Sequence, residues 1–233
     1  MKRETWIAFA PFYLLVAIIF LGISKGGSEA VTAINQQRPV ERQHTIVIDA
    51  GHGGIDGGAT SCTGILESQI NLEIALKMED LFHFLGYETV MIRRTDESIY
   101  IQGNTIAAQK VSDLNERVRI VNKTPGAILI SIHQNTFSDN KYSGAQVFFA
   151  PTEGSRELAR RLQGDLASHL NPGSNRKEKK ADNIYLLQHI SRPGVLIECG
   201  FISNPQEEAR LRDPDYQRKL CAVIASSLSL QYQ

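Results

Sequence analysis

The sequence predicts an α/β fold: a mostly parallel, twisted sheet with helices on both faces, in one compact domain. Two observations carry this. Short apolar, β-branched runs alternate along the chain with longer stretches whose leucines and isoleucines recur at helical spacing. The apolar runs are of the kind that strands buried on both faces require. A third observation concerns function. The polar and glycine-rich breaks fall at the carboxyl ends of the runs, where open α/β sheets hold their ligands.

Taken in order, the N-terminus carries Lys2 and Arg3 ahead of eighteen uncharged residues, Trp6 to Ile23. That is about the length of a membrane span, and the basic flank keeps the N-terminus cytoplasmic. The expectation is an uncleaved anchor over residues 1–23, with the rest of the chain exported. A signal peptide cut near Val31-Thr32-Ala33 is the alternative. Residues 24–43 are polar, lack any period and include Gly26, Gly27 and Pro39, as a tether does. Residues 44–233 then form the folded domain.

Strands are expected at His44–Asp49, Tyr87–Ile92, Ala127–Ile132, Ala145–Phe149 and Gly194–Glu198. Helices are expected at Glu67–Leu85, Asp113–Asn122, Ser155–Leu170, Pro205–Arg212 and Asp215–Leu230. Ile70, Ile74, Leu81 and Leu85 line one face of the first helix, and Gly86 ends it. Asn204 followed by Pro205, with Glu207 and Glu208 in the first turn, is a helix start. Arg93 to Asp113 reads as a long surface loop with some helix. Asn171 to Asp182, with Arg176, Lys177, Lys179 and Lys180, reads as a solvated loop before a return strand near Ile184–Leu187. Its basic side chains could alternatively hold substrate carboxylates.

Composition narrows the function classes. Lys+Arg and Asp+Glu are balanced at 25 each, which gives no electrostatic reason for a nucleic-acid partner. Three cysteines, Cys62, Cys199 and Cys221, fit neither a disulfide framework nor a Cys-x-x-Cys metal site. A single Cys62–Cys221 bridge is a minor alternative.

Four stretches carry chemistry. Asp49-Ala50-Gly51-His52-Gly53-Gly54-Ile55-Asp56-Gly57-Gly58 places a histidine in a glycine-rich loop after a strand. Leu66-Glu67-Ser68-Gln69-Ile70 opens a helix with an acid on its apolar face, since Glu67, Ile70 and Ile74 are three and four apart. A carboxylate there needs a cation to offset its desolvation. Ser131-Ile132-His133-Gln134-Asn135 ends a buried strand in a histidine. Val195-Leu196-Ile197-Glu198-Cys199-Gly200-Phe201 ends another in an acid that is costly there unless paired or functional. Two histidines and a glutamate are one donor set used by hydrolytic zinc, which keeps a fourth position open. Spacing this wide is no local motif, so only the fold can bring the ligands together.

In this order, from about His44 to about Leu230, the four stretches resemble the zinc-dependent N-acetylmuramoyl-L-alanine amidases. The resemblance implies a single zinc-hydrolase domain with Zn²⁺ held by His52, Glu67 and His133. It implies that Glu198 is catalytic, as base toward the attacking water and then proton donor to the leaving amine. The substrate implied is peptidoglycan, cut between the lactyl group of N-acetylmuramic acid and L-alanine. The anchor–tether–domain architecture and the wording around Leu196–Pro205 look most like the sporulation members, which prepare spore cortex for muramic δ-lactam formation with a partner deacetylase. Whether an activating protein is needed is left open. Family members usually have alanine where Gln134 stands, a difference expected to alter the rim of the site. Arg94 and Arg117 fall near recurrent arginines of the family, with ion pairing at least as good a reading as substrate contact. Asp49 is placed to orient a ligand histidine. A zinc carboxypeptidase and an inactive wall-binding module are the competing functions.

Overall fold

A computed structural model describes residues 44–232. The strands are β1 (Thr45–Ala50), β2 (Glu88–Met91), β3 (Ala127–Asn135), β4 (Gln146–Phe149), β5 (Lys179–Lys180) and β6 (Gly194–Phe201). The helices are α1 (Glu67–Phe84), α2 (Ile106–Lys123), α3 (Ser155–His169), α4 (Tyr185–His189), α5 (Pro205–Leu211) and α6 (Pro214–Gln231). The sheet runs β2-β1-β3-β6-β4-β5. β2, β1, β3 and β6 are mutually parallel, and β4 is antiparallel to β6. The fold class expected from the sequence is the fold observed.

Alternation along the strands sends successive side chains to opposite faces. Ile46, Ile48, Ile128, Ile130, Ile132, Val195 and Ile197 pack with Ile70, Ile74, Met78 and Phe82 of α1, Leu158 and Leu162 of α3, and Leu220 and Ile224 of α6. Val47, Leu129 and Leu196 face the other way, onto Val121 of α2 and Leu186 and Leu187 of α4. Both faces are thus covered, and the central strands are buried apart from Thr45, His133, Asn135 and Glu198, which are partly exposed. Truncating Ile130 to alanine in such a core costs about 2–5 kcal/mol.

Helix boundaries follow capping chemistry. Asn204 accepts from the N–H groups of Gln206 and Glu207, and Asp213 does the same for Asp215 and Tyr216, each with proline at the first helical position. Thr105 caps α2 by accepting from Ala108 N–H. That helix therefore starts at Ile106, seven residues before the expected Asp113. Its first turns are exposed, with Ile106 and Val111 facing out, so no apolar period announces them. The loop expected over Arg93–Asp113 shrinks accordingly. The return strand expected near Ile184–Leu187 is instead helix α4. A short apolar run does not by itself separate strand from helix.

The cysteines are free: Cys221 is buried, and Cys62 is exposed and donates to Glu208. The anchor and tether, residues 1–43, lie outside the described residues. Among the described residues, no helix is long and apolar enough to cross a membrane.

Candidate metal centre and its acid

The site is built toward the carboxyl ends of β1, β3 and β6. β3 and β6 continue past the expected ends at Ile132 and Glu198, to Asn135 and Phe201, because these last residues still pair across the two strands. His133 and Glu198 are register partners on adjacent parallel strands, so their side chains leave the sheet on the same face. Leu129, Ser131 and His133 share that face of β3, as Leu196 and Glu198 share it on β6. His52 stands two residues beyond the end of β1. Glu67 is the first residue of α1.

The three candidate ligands converge. His133 Nδ1 lies 3.0 Å from Glu67 Oε1, and His52 Nε2 lies 3.4 Å from Glu67 Oε2. One donor atom from each residue falls within a sphere whose members are no more than 4.8 Å apart. The imidazole rings sit edge to face, 4.9 Å between centroids. Two imidazole nitrogens and a carboxylate at this separation fit a divalent cation of the zinc type.

Backbone conformation and sterics hold the loop in place. His52 itself has a left-handed φ of 60°, as does Gly58 at 70°. A Cβ at Gly51 would fall 2.1 Å from His133 Nε2, in steric overlap with the ring. One at Gly58 would fall 2.7 Å from Glu67 Oε2. Both positions must therefore be glycine for the ligands to meet.

The charges around the triad are compensated. Glu67 Oε2 accepts from Ala59 N–H at 3.0 Å, and Oε1 accepts from Gln134 N–H at 3.1 Å. Burial would raise the Glu67 carboxyl, but its hydrogen bonds and charge pairing with His133 and His52 hold it well below the usual carboxylate range. Burial would lower His52, but hydrogen bonds and charge from Glu67 and Asp56 push it up to about 9. Asp56 accepts from His52 Nδ1 at 2.8 Å and from Lys110 Nζ at 2.7 Å. A carboxylate can only accept, so the bond sets Nδ1 as the protonated nitrogen and leaves Nε2 facing Glu67.

Glu198 is different. Its Oε2 is buried without a hydrogen-bond partner. Burial chiefly, opposed by His133 and aided by Glu67, raises its carboxyl to about 7. A cavity of about 400 Å³ opens beside it, lined by His52, His133, Glu198, Lys110, Tyr185 and Leu196 among others. An unpaired carboxyl near neutrality, beside a cation-binding triad and a cavity, can take a proton and give it back.

Two arginines hold the loop that carries His52. Arg117 is buried and donates to Asp49, Asp113, Ala50 O and His52 O. Its role is structural pairing, one of the two readings its position allowed. Arg93, which the sequence did not single out, is 2% exposed and donates to four carbonyls, those of Ala50, Gly51, Ser68 and Thr95. It ties the loop to the start of α1. Arg94 pairs with Glu79 at the edge of α1. Asp49 accepts from Arg117 and Ser131, so it braces the loop and orients no histidine; Asp56 does that. The signal for Asp56 was present, an acid four residues after His52 in the same turn. Gln134 is buried and not at the rim: its Nε2 donates to Asn71, which in turn donates to Glu67 and to Gly51 O.

Comparison with known proteins agrees with the resemblance. Residues 46–229 match the family model described as N-acetylmuramoyl-L-alanine amidase. The chain is 37% identical over 226 residues to the germination-specific N-acetylmuramoyl-L-alanine amidase of Bacillus subtilis, covering 96% of this chain and 92% of that protein. Among solved structures, the CwlD amidase of Clostridioides difficile, in complex with the GerS lipoprotein, superposes with a TM-score of 0.77 at 37% identity, over 81% of this chain and 98% of that one. An N-acetylmuramoyl-L-alanine amidase from Clostridium difficile 630 superposes with a TM-score of 0.70 at 29% identity, over 82% and 97%. With its fold, its site and its sequence in agreement, the chain belongs to the N-acetylmuramoyl-L-alanine amidase family.

Proposed function

We propose that the protein is a zinc amidase of the spore cortex. It cleaves the bond between the lactyl group of N-acetylmuramic acid and L-alanine, with His52, Glu67 and His133 as ligands and Glu198 as the catalytic acid/base. The observation that supports it most is the pairing of His133 with Glu198 across two strands, beside donors from His52 and Glu67. When bound, zinc supplies Lewis acidity toward the carbonyl and lowers the pKa of a ligated water.

The residues of the chain do the rest. Glu198 takes the proton of the attacking water on its unpartnered carboxylate oxygen and delivers it to the amine nitrogen of L-alanine as the C–N bond breaks. Asp56 and Lys110 hold His52 in one tautomer and orientation. Leu196, Ile184 and Leu186 make one wall of the cavity apolar, which limits water and strengthens the field at Glu198.

Family membership sets the carboxypeptidase reading aside, and an intact donor set beside an unpaired acid speaks against an inactive module. The cortex role rests on the germination-specific relative. Removing the stem peptide leaves a free lactyl carboxylate on muramic acid, the group that a deacetylated neighbouring amine needs for lactam closure. The product therefore feeds a deacetylase-coupled step. Action is outside the cytoplasm, with residues 1–23 as membrane anchor and 24–43 as tether.

The test is digestion of purified peptidoglycan by the full-length protein, with and without chelator. Stem peptides with a free N-terminal L-alanine are expected, and only in the metal-loaded sample. Release of free D-alanine with a shortened stem would overturn the reading.

A further inference from the structure

The segment between β3 and β4 begins just after Asn135, two residues past His133, and presents two aromatic side chains to solvent. Phe137 is 53% exposed and Tyr142 is 40% exposed. They do not hang free. Phe137 N–H donates to Ser203 Oγ at 3.0 Å, Asn204 Nδ2 donates to Tyr142 O at 3.2 Å, and Gly144 N–H donates to the buried Glu207 carboxylate at 2.9 Å. All three anchors lie just beyond β6, on the stretch from Ser203 to Glu207. Ring packing continues the order: Phe137 meets Tyr142 edge to face at 4.8 Å, and Tyr142 lies tilted by 30° over Phe201 at 6.2 Å. Phe201 is three residues past Glu198 on the same strand, about 10 Å along it.

Beside this stack runs an open groove lined by Lys141, His169, Arg176, Arg210 and Lys219. The Arg176 guanidinium sits 5.3 Å from the Phe201 ring centre. Arg210 and Lys219 have no carboxylate partner among the described residues, and the acid of the groove, the buried Glu207, turns its Oε2 to the N–H groups of Gly144 and Phe201. Exposed aromatic faces held rigid by their backbones are what a sugar ring stacks its C–H edges on. Arginines without a carboxylate partner are what a ligand carboxylate pairs with, and Arg176, whose Nη2 donates to Ser143 O, has none among the described residues.

We propose that the exposed Phe137–Tyr142 pair, backed by the buried Phe201 ring, and the Arg176–Arg210–Lys219 groove form a second subsite that holds the substrate polymer away from the cleaved bond. Its ligand is a glycan segment whose attached peptides bear free carboxylates, with the sugar on the rings and the carboxylates in the groove. The subsite rests on the amidase reading for its substrate and on its own geometry for its location. It raises the affinity for polymer without entering the chemical step.

The experiment is cosedimentation of the full-length protein, in detergent, with purified sacculi stripped of phosphate-containing polymers. It is run alongside kinetics on those sacculi and on a soluble muramoyl-tripeptide. Phe137→Ala/Tyr142→Ala and Arg176→Gln/Arg210→Gln are compared with Phe84→Ala, a control on α1 with a side chain 86% exposed. Each double variant is expected to weaken sacculus binding and raise KM on sacculi by about tenfold, the effect of losing one good contact. kcat and turnover of the tripeptide should stay within about twofold, and Tyr142→Trp should bind like wild type. Wild-type binding by both double variants overturns the proposal, as does an equal loss on both substrates. Binding that requires the phosphate polymers also overturns it, because the groove would then serve a different polyanion. A wild-type protein that cleaves no amide but whose sacculus binding still falls in the variants would retire the amidase reading and leave this subsite standing.

Discussion

The carboxylate of Asp56 lies 2.8 Å from Nδ1 of His52, and it is the contact that decides which nitrogen of that ring faces the candidate metal. Burial would raise the Asp56 carboxyl, but bonds to Lys110 and His52 hold it below the ordinary 3.8, so it is ionised and can only accept. Asp56→Asn can present an amide N–H to the ring and favour the opposite tautomer. Zinc affinity, measured by chelator competition, is expected to fall about 10–100-fold. Lys110→Met, which removes only the outer partner, should cost less. Unchanged affinity in Asp56→Asn would show that the contact positions nothing.

Removal of a proposed ligand should act more severely. His133→Ala and His52→Ala are each expected to abolish stoichiometric zinc while the domain still melts cooperatively, because both rings lie at the edge of the core. Metal analysis after dialysis checks it. Full occupancy at unchanged affinity in His133→Ala would remove that residue from the set.

Glu198→Gln keeps shape but cannot take a proton. Turnover should fall by roughly 10²–10⁴-fold with zinc content intact. The variant should also melt no lower than wild type, since an unpartnered buried carboxyl is replaced by a neutral group. In the wild type the base form is needed, so kcat/KM should rise with pH. The midpoint should lie at or below about 7, since the value of about 7 reflects burial in the absence of a divalent cation, and such a cation draws it down. A fully active Glu198→Gln enzyme would sink the mechanism. An inactive one without zinc would make Glu198 a ligand.

The buried Asp49–Arg117 pair gives a pH dependence of stability with a definite sign. Burial alone would raise Asp49, but the Arg117 guanidinium, the His133 ring and bonds from Ser131 and Arg117 hold it below the ordinary 3.8. A depressed folded pKa means that this stabilisation is complete above the unfolded value and lost as the pH falls below it. Arg117→Met leaves Asp49 buried without its cation and should lower the unfolding free energy by about 3–5 kcal/mol at neutral pH. Denaturant titrations at neutral and acid pH check both. The gap between variant and wild type should narrow on acidification, as Asp49 becomes protonated in the variant.

The N-terminal segment is tested by fractionation and by the mass of the mature chain. Retention in the membrane with Met1 or Lys2 at the terminus is expected. A soluble exported form beginning near Thr32 to Ile34 would show cleavage instead.

The sequence by itself determined the class of the fold and the identity of the candidate site residues. Strands such as Ile46–Ile48 and Ile128–Ile132 are read from composition because burial on both faces favours apolar side chains, with a polar one such as Ser131 tolerated where it finds a partner, here Asp49. Glu67, His133 and Glu198 stand out because each breaks such a pattern where polarity is costly, and His52 because a glycine-rich loop holds it at a strand end; the family resemblance is what assigned the four their roles. What only the tertiary structure decided are relations between distant residues. The register that sets His133 opposite Glu198, the choice of Asp56 over Asp49 as the partner of His52, and the burial of Arg93 against four carbonyls are such relations. Each depends on how strands align and how a loop turns back, which one-dimensional spacing does not encode. The same holds for the first turns of α2 and for α4. Their hydrophobic signal is short or faces solvent, so a cap and tertiary packing, not periodicity, set their conformation.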